Sequence, residues 1–367
     1  MIENKSKRSP DFIIFIVVLI LLSIGIIMVF SSSAYSSFLT HGTPYYYLKR
    51  QLINTLVGIV AMLVAMNFHF KMLYRFANPI LLVSMVLLVL VIIMGIAGGG
   101  ASRWLGIGPF VFQPSEVTKL AVVIFMAKTL SVNQKKLRFF IKGLLPQLAI
   151  LGLVCALILA QPDLGTAVAV AGTVYFLLAV AGARLLHLWV LAVTGLAAVS
   201  TAIMTAEYRM RRILAFLNPY DDPTGYGFQT IQSLLALGSG GLFGMGLGNG
   251  RQKLLYIPER HTDFIYAIIG EELGFIGAAF LLLLFAVFMW RGFKVAVSAP
   301  DDFSSLLAAG ITIMITLQAL INIGVVTGSL PVTGITLPFI SYGGSSLVFT
   351  LTGVGILLNI SRYTRSG

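Results

Sequence analysis

The sequence predicts an all-α polytopic membrane protein, and three observations carry that expectation. Apolar residues make up 58% of the 367 positions and charged residues only 10%, with a mean hydropathy of +0.95. A soluble domain of this length needs far more surface charge. Residues Phe12–Phe30 run without a single charge, which is enough to cross a hydrocarbon core of about 30 Å. More apolar stretches follow, and Ser31–Ser36 leads into no clear cleavage context, so a secretory leader is the weaker reading of the first stretch. The lone Cys155 excludes an intramolecular disulfide and argues against a metal cluster.

Ten spans are predicted, at 12–32, 50–68, 78–97, 114–131, 143–160, 163–182, 185–205, 263–290, 304–327 and 342–360. Basic residues orient them. Lys5, Lys7 and Arg8 precede the first span, and Lys71 and Arg75 follow the second. Lys128, Lys135, Lys136, Arg138 and Lys142 come after the fourth, Arg184 after the sixth, Arg291 and Lys294 after the eighth, and Arg362 and Arg365 after the last. All fall on one side if both termini are cytoplasmic. Lys49, Arg50 and Arg103 are a minority on the other side. Against 13 acids the chain carries 25 Lys and Arg, a formal +12, and flanking of spans accounts for that excess without nucleic acid.

The chain reads as one membrane domain, 1–367, with a large extracytoplasmic loop, 206–262, between spans seven and eight. This loop carries Arg209, Arg211, Arg212, Arg251, Lys253 and Arg260 against Glu207, Asp221, Asp222 and Glu259. Two readings stand for them, solvated loop charge and an outward-facing site for an anionic ligand. Within the loop, the apolar, glycine-rich Gln229–Leu247 predicts an interfacial or re-entrant helix buried against protein. No soluble module is evident, so any extracellular catalytic module is expected on another polypeptide.

Spans four, six, eight and ten run inward in this topology, and their starts open outward. QPSE (113–116) begins the fourth, QPDLG (161–165) the sixth, HTDF (261–264) the eighth and LPFISYGGSS (337–346) the tenth. Helix starts present unpaired N–H groups and a positive dipole end, which suits a phosphate-bearing ligand. Glu116 and Lys119, three apart, share a helix face and can pair. Pro114 at the first position and an acid in the first turn are also ordinary start signals, so capping and ligand contact both stand. Asp163 after Pro162 carries the same two readings.

Asp263 is the sharper candidate, because Glu259, Arg260, His261 and Thr262 surround it and Thr262 can cap the helix. Withdrawal of a carboxylate from water raises its basicity, whereas Arg260 pulls the other way. On a continuous helix Glu271 lies about 80° around from Asp263 and Glu272 about 180°. Glu271 is therefore expected to extend the polar face and Glu272 to pair on a neighbouring helix. Arg103 and Trp104 could clamp or stack on a sugar phosphate, although Trp also suits any membrane interface. Ser341 and Ser345 of SYGGSS supply hydroxyls. The four histidines have no metal-ligand spacing.

The strings RWLGIGPFVFQPSEVTKL, QPDLGTA, LNPYDDPTGYGFQTIQSLLALGSGGLFGMGLG, PERHTDFIYAIIGEELG and PVTGITLPFISYGGSSL together resemble the SEDS family (shape, elongation, division and sporulation) over essentially the whole chain. The division and sporulation branch, FtsW and SpoVE, looks closer than the rod-elongation branch, RodA. The resemblance implies a ten-span peptidoglycan glycosyltransferase that polymerises lipid II on the outer face of the bacterial cytoplasmic membrane. It implies Asp263 as the catalytic residue, with Glu116, Lys119 and Asp163 in the site. Arg103, Trp104, Arg212, Glu259, Arg260, His261, Ser341 and Ser345 are the further candidates for substrate binding. The implied partners are a class B penicillin-binding protein and other division or sporulation proteins. The one cofactor considered is a divalent cation, Mg or Mn, with the substrate pyrophosphate. A lipid II flippase and a non-catalytic scaffold are the rival readings.

Overall fold

The computed structural model describes residues 9–98, 101–107, 110–134, 137, 139–251 and 261–364. Its helices are α1 (Phe12–His41), α2 (Tyr46–Asn67), α3 (Phe70–Met94), α4 (Pro114–Asn133), α5 (Leu145–Leu159), α6 (Leu164–Val180), α7 (Leu185–Met204), α8 (Glu207–Leu217), α9 (Phe228–Gly240), α10 (Ile265–Val297), α11 (Asp302–Val326) and α12 (Gly344–Ser361). Every predicted span coincides with a helix. Among the described residues, eight helices are long and apolar enough to cross a membrane outright, α5 when joined to the helical turn Phe140–Leu144 before it. The remaining two are α4, which carries Glu116, Lys119 and Lys128, and the shorter α6.

Local chemistry sets the ends. Asp11 caps α1 by accepting from the N–H groups of Ile13 and Ile14, both at 3.1 Å, and Gly42 at φ 69° closes it. The helix runs past the predicted end because the Ser32 and Ser33 hydroxyls donate back to the Val29 carbonyl, so its polar end is satisfied internally.

Two features depart from the expected all-α picture. Residues between α3 and α4 form an antiparallel sheet of β1 (Ile96–Gly98), β2 (Ala101–Ile107) and β3 (Phe110–Phe112), with Ile96 opposite Trp104 and Leu105 opposite Phe112. This stretch is too short to span, and pairing satisfies its backbone. In addition, α10 is broken at Gly274, where φ is 70° and ψ −169°.

The glycine-rich loop after α9 splints that break. Met245 and Gly246 N–H groups donate to the Glu271 and Glu272 carbonyls at 2.9 and 3.0 Å, and those of Phe275 and Ile276 donate to the carbonyls of Gly241 and Leu242 at 2.8 and 3.2 Å. Backbone groups freed by the kink are thus paired within protein, as the apolar interior demands. A Cβ on Gly274 would lie 2.3 Å from the Gly244 nitrogen, so the two backbones meet only as glycines.

The start of α10 corrects the helical-wheel expectation. Asp263 lies in the turn before α10, whose N-cap is Phe264 rather than Thr262, so its angle to Glu271 and Glu272 cannot be read at 100° per residue. Glu272 accepts from the Ser31 hydroxyl of α1, at 2.8 and 2.7 Å to its two oxygens, and Glu271 accepts from the Arg251 N–H at 2.7 Å. Within the segment expected to be re-entrant, α9 buries one face, Thr230, Ser233, Ala236 and Gly240, and leaves Leu234 and Leu235 exposed. Its Ser233 hydroxyl donates to the Val326 carbonyl at the end of α11, and Gly240 lies against the Gly270 backbone of α10.

Contacts sort the bundle into two ends. At one, Arg291 Nε donates to Asp11 at 3.1 Å, the Asp11 N–H donates to the Ser361 hydroxyl at 2.9 Å, and Arg362 reaches Asn67 at 3.1 Å. At the other end the four motifs meet. Gln113 N–H, just before α4, donates to the Ser345 hydroxyl of α12 at 3.0 Å, and the Ser341 hydroxyl donates to the Thr262 carbonyl at 2.6 Å.

Candidate active site

At the start of α4, Glu116 and Lys119 pair at 2.9 Å, each less than a tenth exposed. The Lys119 ammonium also donates to Gln318 Oε1 on α11 at 2.6 Å. At the start of α6, Asp163 is the N-cap and accepts from the Thr166 N–H at 3.0 Å and the Thr166 hydroxyl at 2.8 Å. The capping role is thus seen directly, and Arg103 Nε stands 4.0 Å from Asp163 Oδ2. Arg103, on β2, donates as well to the carbonyls of Gln161 and Pro162, which fixes the QPD turn.

Residues 333–336, an irregular segment between α11 and α12, are approached from each of these motifs. A Cβ at Gly165, two residues after Asp163, would lie 2.9 Å from the Thr333 carbonyl oxygen. A Cβ at Gly334 would sit 3.4 Å from Asp263 Oδ2, and Gly334 adopts a φ of 75° that suits only glycine. Thr336 offers its carbonyl to Gln318 Nε2 at 3.0 Å, joining the segment to the Glu116–Lys119 pair.

The remaining candidates divide by what their polar atoms already do. Ser341 is buried, donates to Thr262 and accepts from the Leu337 N–H at 2.8 Å, while Ser345 accepts from Gln113. These hydroxyls tether motifs to one another. His261 packs its ring against Tyr47 and Tyr342, at 4.6 and 5.6 Å between centroids, and its carbonyl accepts from the Tyr342 N–H at 2.8 Å. Burial pushes the Tyr342 phenol up and Arg50 opposes it in part, so the group stays a neutral hydroxyl. Arg212, on α8, donates to the Val332 carbonyl at 3.5 Å, beside the shared segment, and lies over Tyr208. Trp104 is half-buried in β2. Glu259 and Arg260 lie outside the described residues.

Sequence reasoning missed two amides, Gln318 and Asn322. Asn322 Nδ2 donates to the main-chain carbonyls of Asp263 and Ile335, both at 2.7 Å. Their signal was available: they are full amides in the stretch Phe303–Val326, which is otherwise almost wholly apolar, and polar groups at such depth face protein. An apolar cavity of about 370 Å³ opens between α5, α6 and α7. It reaches Leu159 and Leu164, on either side of the QPD turn, and is not itself lined by the three acids. Among the described residues, no three His, Cys, Asp or Glu side chains gather to hold a metal ion.

Comparison with known proteins identifies the family. Stage V sporulation protein E of Bacillus subtilis is 48% identical over 361 residues, covering 98% of this chain and 99% of that protein. A probable peptidoglycan glycosyltransferase FtsW of Trichlorobacter lovleyi is 45% identical, covering 96% and 93%. Among solved structures, a chain of a peptidoglycan synthase complex described as coordinating polymerisation and crosslinking superposes with a TM-score of 0.80 at 33% identity, covering 96% and 98%. The rod shape determining protein RodA of Thermus thermophilus superposes at 0.73 and 30% identity, covering 98% of each chain. The family model for FtsW, RodA and SpoVE, described as a cell cycle protein, matches residues 11–366, and the chain belongs to that family.

Proposed function

We propose that the chain is a peptidoglycan glycosyltransferase that polymerises lipid II at the end of the bundle where the four motifs meet. The observation that carries this reading is that one segment, 333–336, meets Asp263, Gly165 just after Asp163, and Gln318, the partner of Lys119. Asp263 acts as the general base and takes the proton from the 4-hydroxyl of the acceptor sugar. The freed oxygen attacks the anomeric carbon of the growing glycan. As that bond forms, the bond to the phosphate oxygen breaks and undecaprenyl pyrophosphate leaves with the electron pair. One displacement inverts the anomeric centre, in keeping with a β-1,4 linkage.

The leaving group needs countercharge but no proton, and Lys119, Arg103 and Arg212 are the cations assigned to supply it. A Mg or Mn ion belongs to the same proposal, carried by the pyrophosphate. Such ions are commonly held by one or two carboxylates together with substrate phosphates, which needs no cluster of protein ligands. The apolar cavity between α5, α6 and α7 offers a place for an isoprenoid tail beside the QPD turn.

In this reading the motif end faces outward from the bacterial cytoplasmic membrane and both termini face the cytosol, as the basic residues require. A class B penicillin-binding protein is the proposed transpeptidase partner, with division or sporulation proteins at a septal or forespore membrane. The flippase reading fits less well. A transporter places its working groups near the midplane, whereas here the acids gather at one end and the deeper Glu271 and Glu272 accept from Arg251 and Ser31. Incubation of the purified chain and its transpeptidase partner with lipid II tests the proposal. Wild type is expected to make glycan, and folded Asp263→Asn is expected to lose at least about 100-fold in rate. Undiminished polymer from that variant removes Asp263 from the chemistry.

A further inference from the structure

We propose that Asn322 and Gln318 of α11 are positioning residues of this reaction, which hold the Asp263 main chain and the Lys119 ammonium at a fixed separation. The inference rests on the glycosyltransferase reading and names residues which that reading does not use. Asn322 is 1% exposed and Gln318 4%. Four residues apart, they lie on one face of α11, about 6 Å apart along its axis.

Asn322 spends both N–H groups on main-chain carbonyls, those of Asp263 and Ile335, at 2.7 Å each. Its Oδ1 has no partner among the described residues. An amide kept at this depth with its acceptor unused is a poor helix glue, and what it contributes lies in its two donors. Those donors fasten the turn that carries the base to segment 333–336. Gln318 works at both of its ends, accepting from Lys119 at 2.6 Å and donating to the Thr336 carbonyl at 3.0 Å.

Helix α11 thereby acts as a ruler with two marks. The displacement needs the base at the attacking hydroxyl and a cation at the departing pyrophosphate, on opposite sides of one carbon. A shift of about 1 Å in either is enough to lower the rate about 100-fold. Neither amide is a catalytic residue, because each acts through a group that is.

The test is steady-state kinetics and pH profiles on purified full-length protein with its transpeptidase partner and lipid II, normalised to folded protein from thermal melts. Asn322→Leu keeps the volume and removes both donors; Asn322→Gln keeps an amide with longer reach. The expected result is a kcat about 100-fold down for Asn322→Leu, KM within about threefold, a displaced acid limb of the kcat profile, and partial recovery in Asn322→Gln. Gln318→Met is expected to lose about tenfold in kcat, and Gln318→Glu, which keeps the acceptor for Lys119 but loses the donor to Thr336, to regain only part of it. If Asn322 only fills space, leucine serves as well as glutamine. Asn322→Leu with a wild-type kcat and acid limb, or a loss that merely follows the folded fraction, overturns the inference while leaving the function intact. Wild-type protein that makes no glycan defeats both.

Discussion

Helices α7 and α11 are of similar length and hydropathy, yet the protein treats them in opposite ways. Of an 18-residue stretch of α11, 83% is buried inside the protein; for α7 the figure is 6%, and Leu188 is its one buried residue. The apolar residues of α7 point outward, with Leu186, Trp189 and Leu196 each 70% exposed. Helix α11 touches α4, α6, α9, α10 and α12 and carries the amides that grip the site, whereas α7 touches only α6 and α8 to any extent. Hydropathy therefore identifies both as membrane helices but does not tell which faces protein and which faces lipid. The polar residues do, because an unpaired amide in hydrocarbon is costly and one held by carbonyls is not.

The largest expected effect lies at the α4–α11 contact. Lys119 is the partner of a Glu116 that is 7% exposed. Lys119→Met leaves a buried carboxylate uncompensated and Gln318 without its donor, an expected loss of about 3–5 kcal/mol. Thermal melting in detergent checks it. The double variant Glu116→Gln/Lys119→Met is expected to recover much of that loss, since two neutral groups of similar size remain. A Lys119→Met protein that melts with wild type breaks the claim that the inner helices are held by polar contacts.

Much of the plan was legible in the sequence, because a membrane imposes length. Ten apolar stretches gave ten helices, and the four polar strings at their starts met at one end, since alternating spans leave no other arrangement. Local chemistry at Asp163 was legible too, as a cap after proline. What escaped depended on long-range backbone contact. The break at Gly274 is stabilised by a loop some thirty residues earlier, and nothing local in GEELGF announces it. The sheet at 96–112 sits among glycines that carry no period. The Ser341 hydroxyl donates to the Thr262 carbonyl and that of Ser345 accepts from the Gln113 N–H, contacts that the string SYGGSS does not announce. Nothing local marks residues 333–336, and contacts from α6, Asp263 and α11 reveal them as a junction.

A second, smaller effect sharpens the comparison with one methyl group. Gly310 of α11 faces α4 and α6, and a Cβ there would lie 2.7 Å from Val123 Cγ1 and 3.4 Å from Leu177 Cδ2. Valine has few rotamers with which to retreat. Gly310→Ala gains a little helix propensity but forces α4 away, for an expected net loss of about 1–3 kcal/mol. Because α4 carries Glu116 and Lys119, the rate of glycan synthesis is expected to fall along with the melting temperature. A variant as stable as wild type shows that α4 and α11 can separate without cost.

The smallest effect has the opposite sign and uses the same substitution. Gly195 is mid-helix in α7, and a Cβ there meets nothing within 4 Å. The propensity gain of up to about 1 kcal/mol is then unopposed, and Gly195→Ala is expected to melt at or slightly above wild type. The new methyl lies on the wall of the apolar cavity between α5, α6 and α7. A cavity that only borders lipid leaves activity untouched, so stability and rate both hold. If the cavity takes the isoprenoid tail, the methyl narrows it, and KM for lipid II rises while the melting temperature does not fall. Melting curves and lipid II titrations of Gly310→Ala and Gly195→Ala, run side by side, therefore separate packing from substrate access: the inner helix loses stability first, and the outer helix changes KM or nothing.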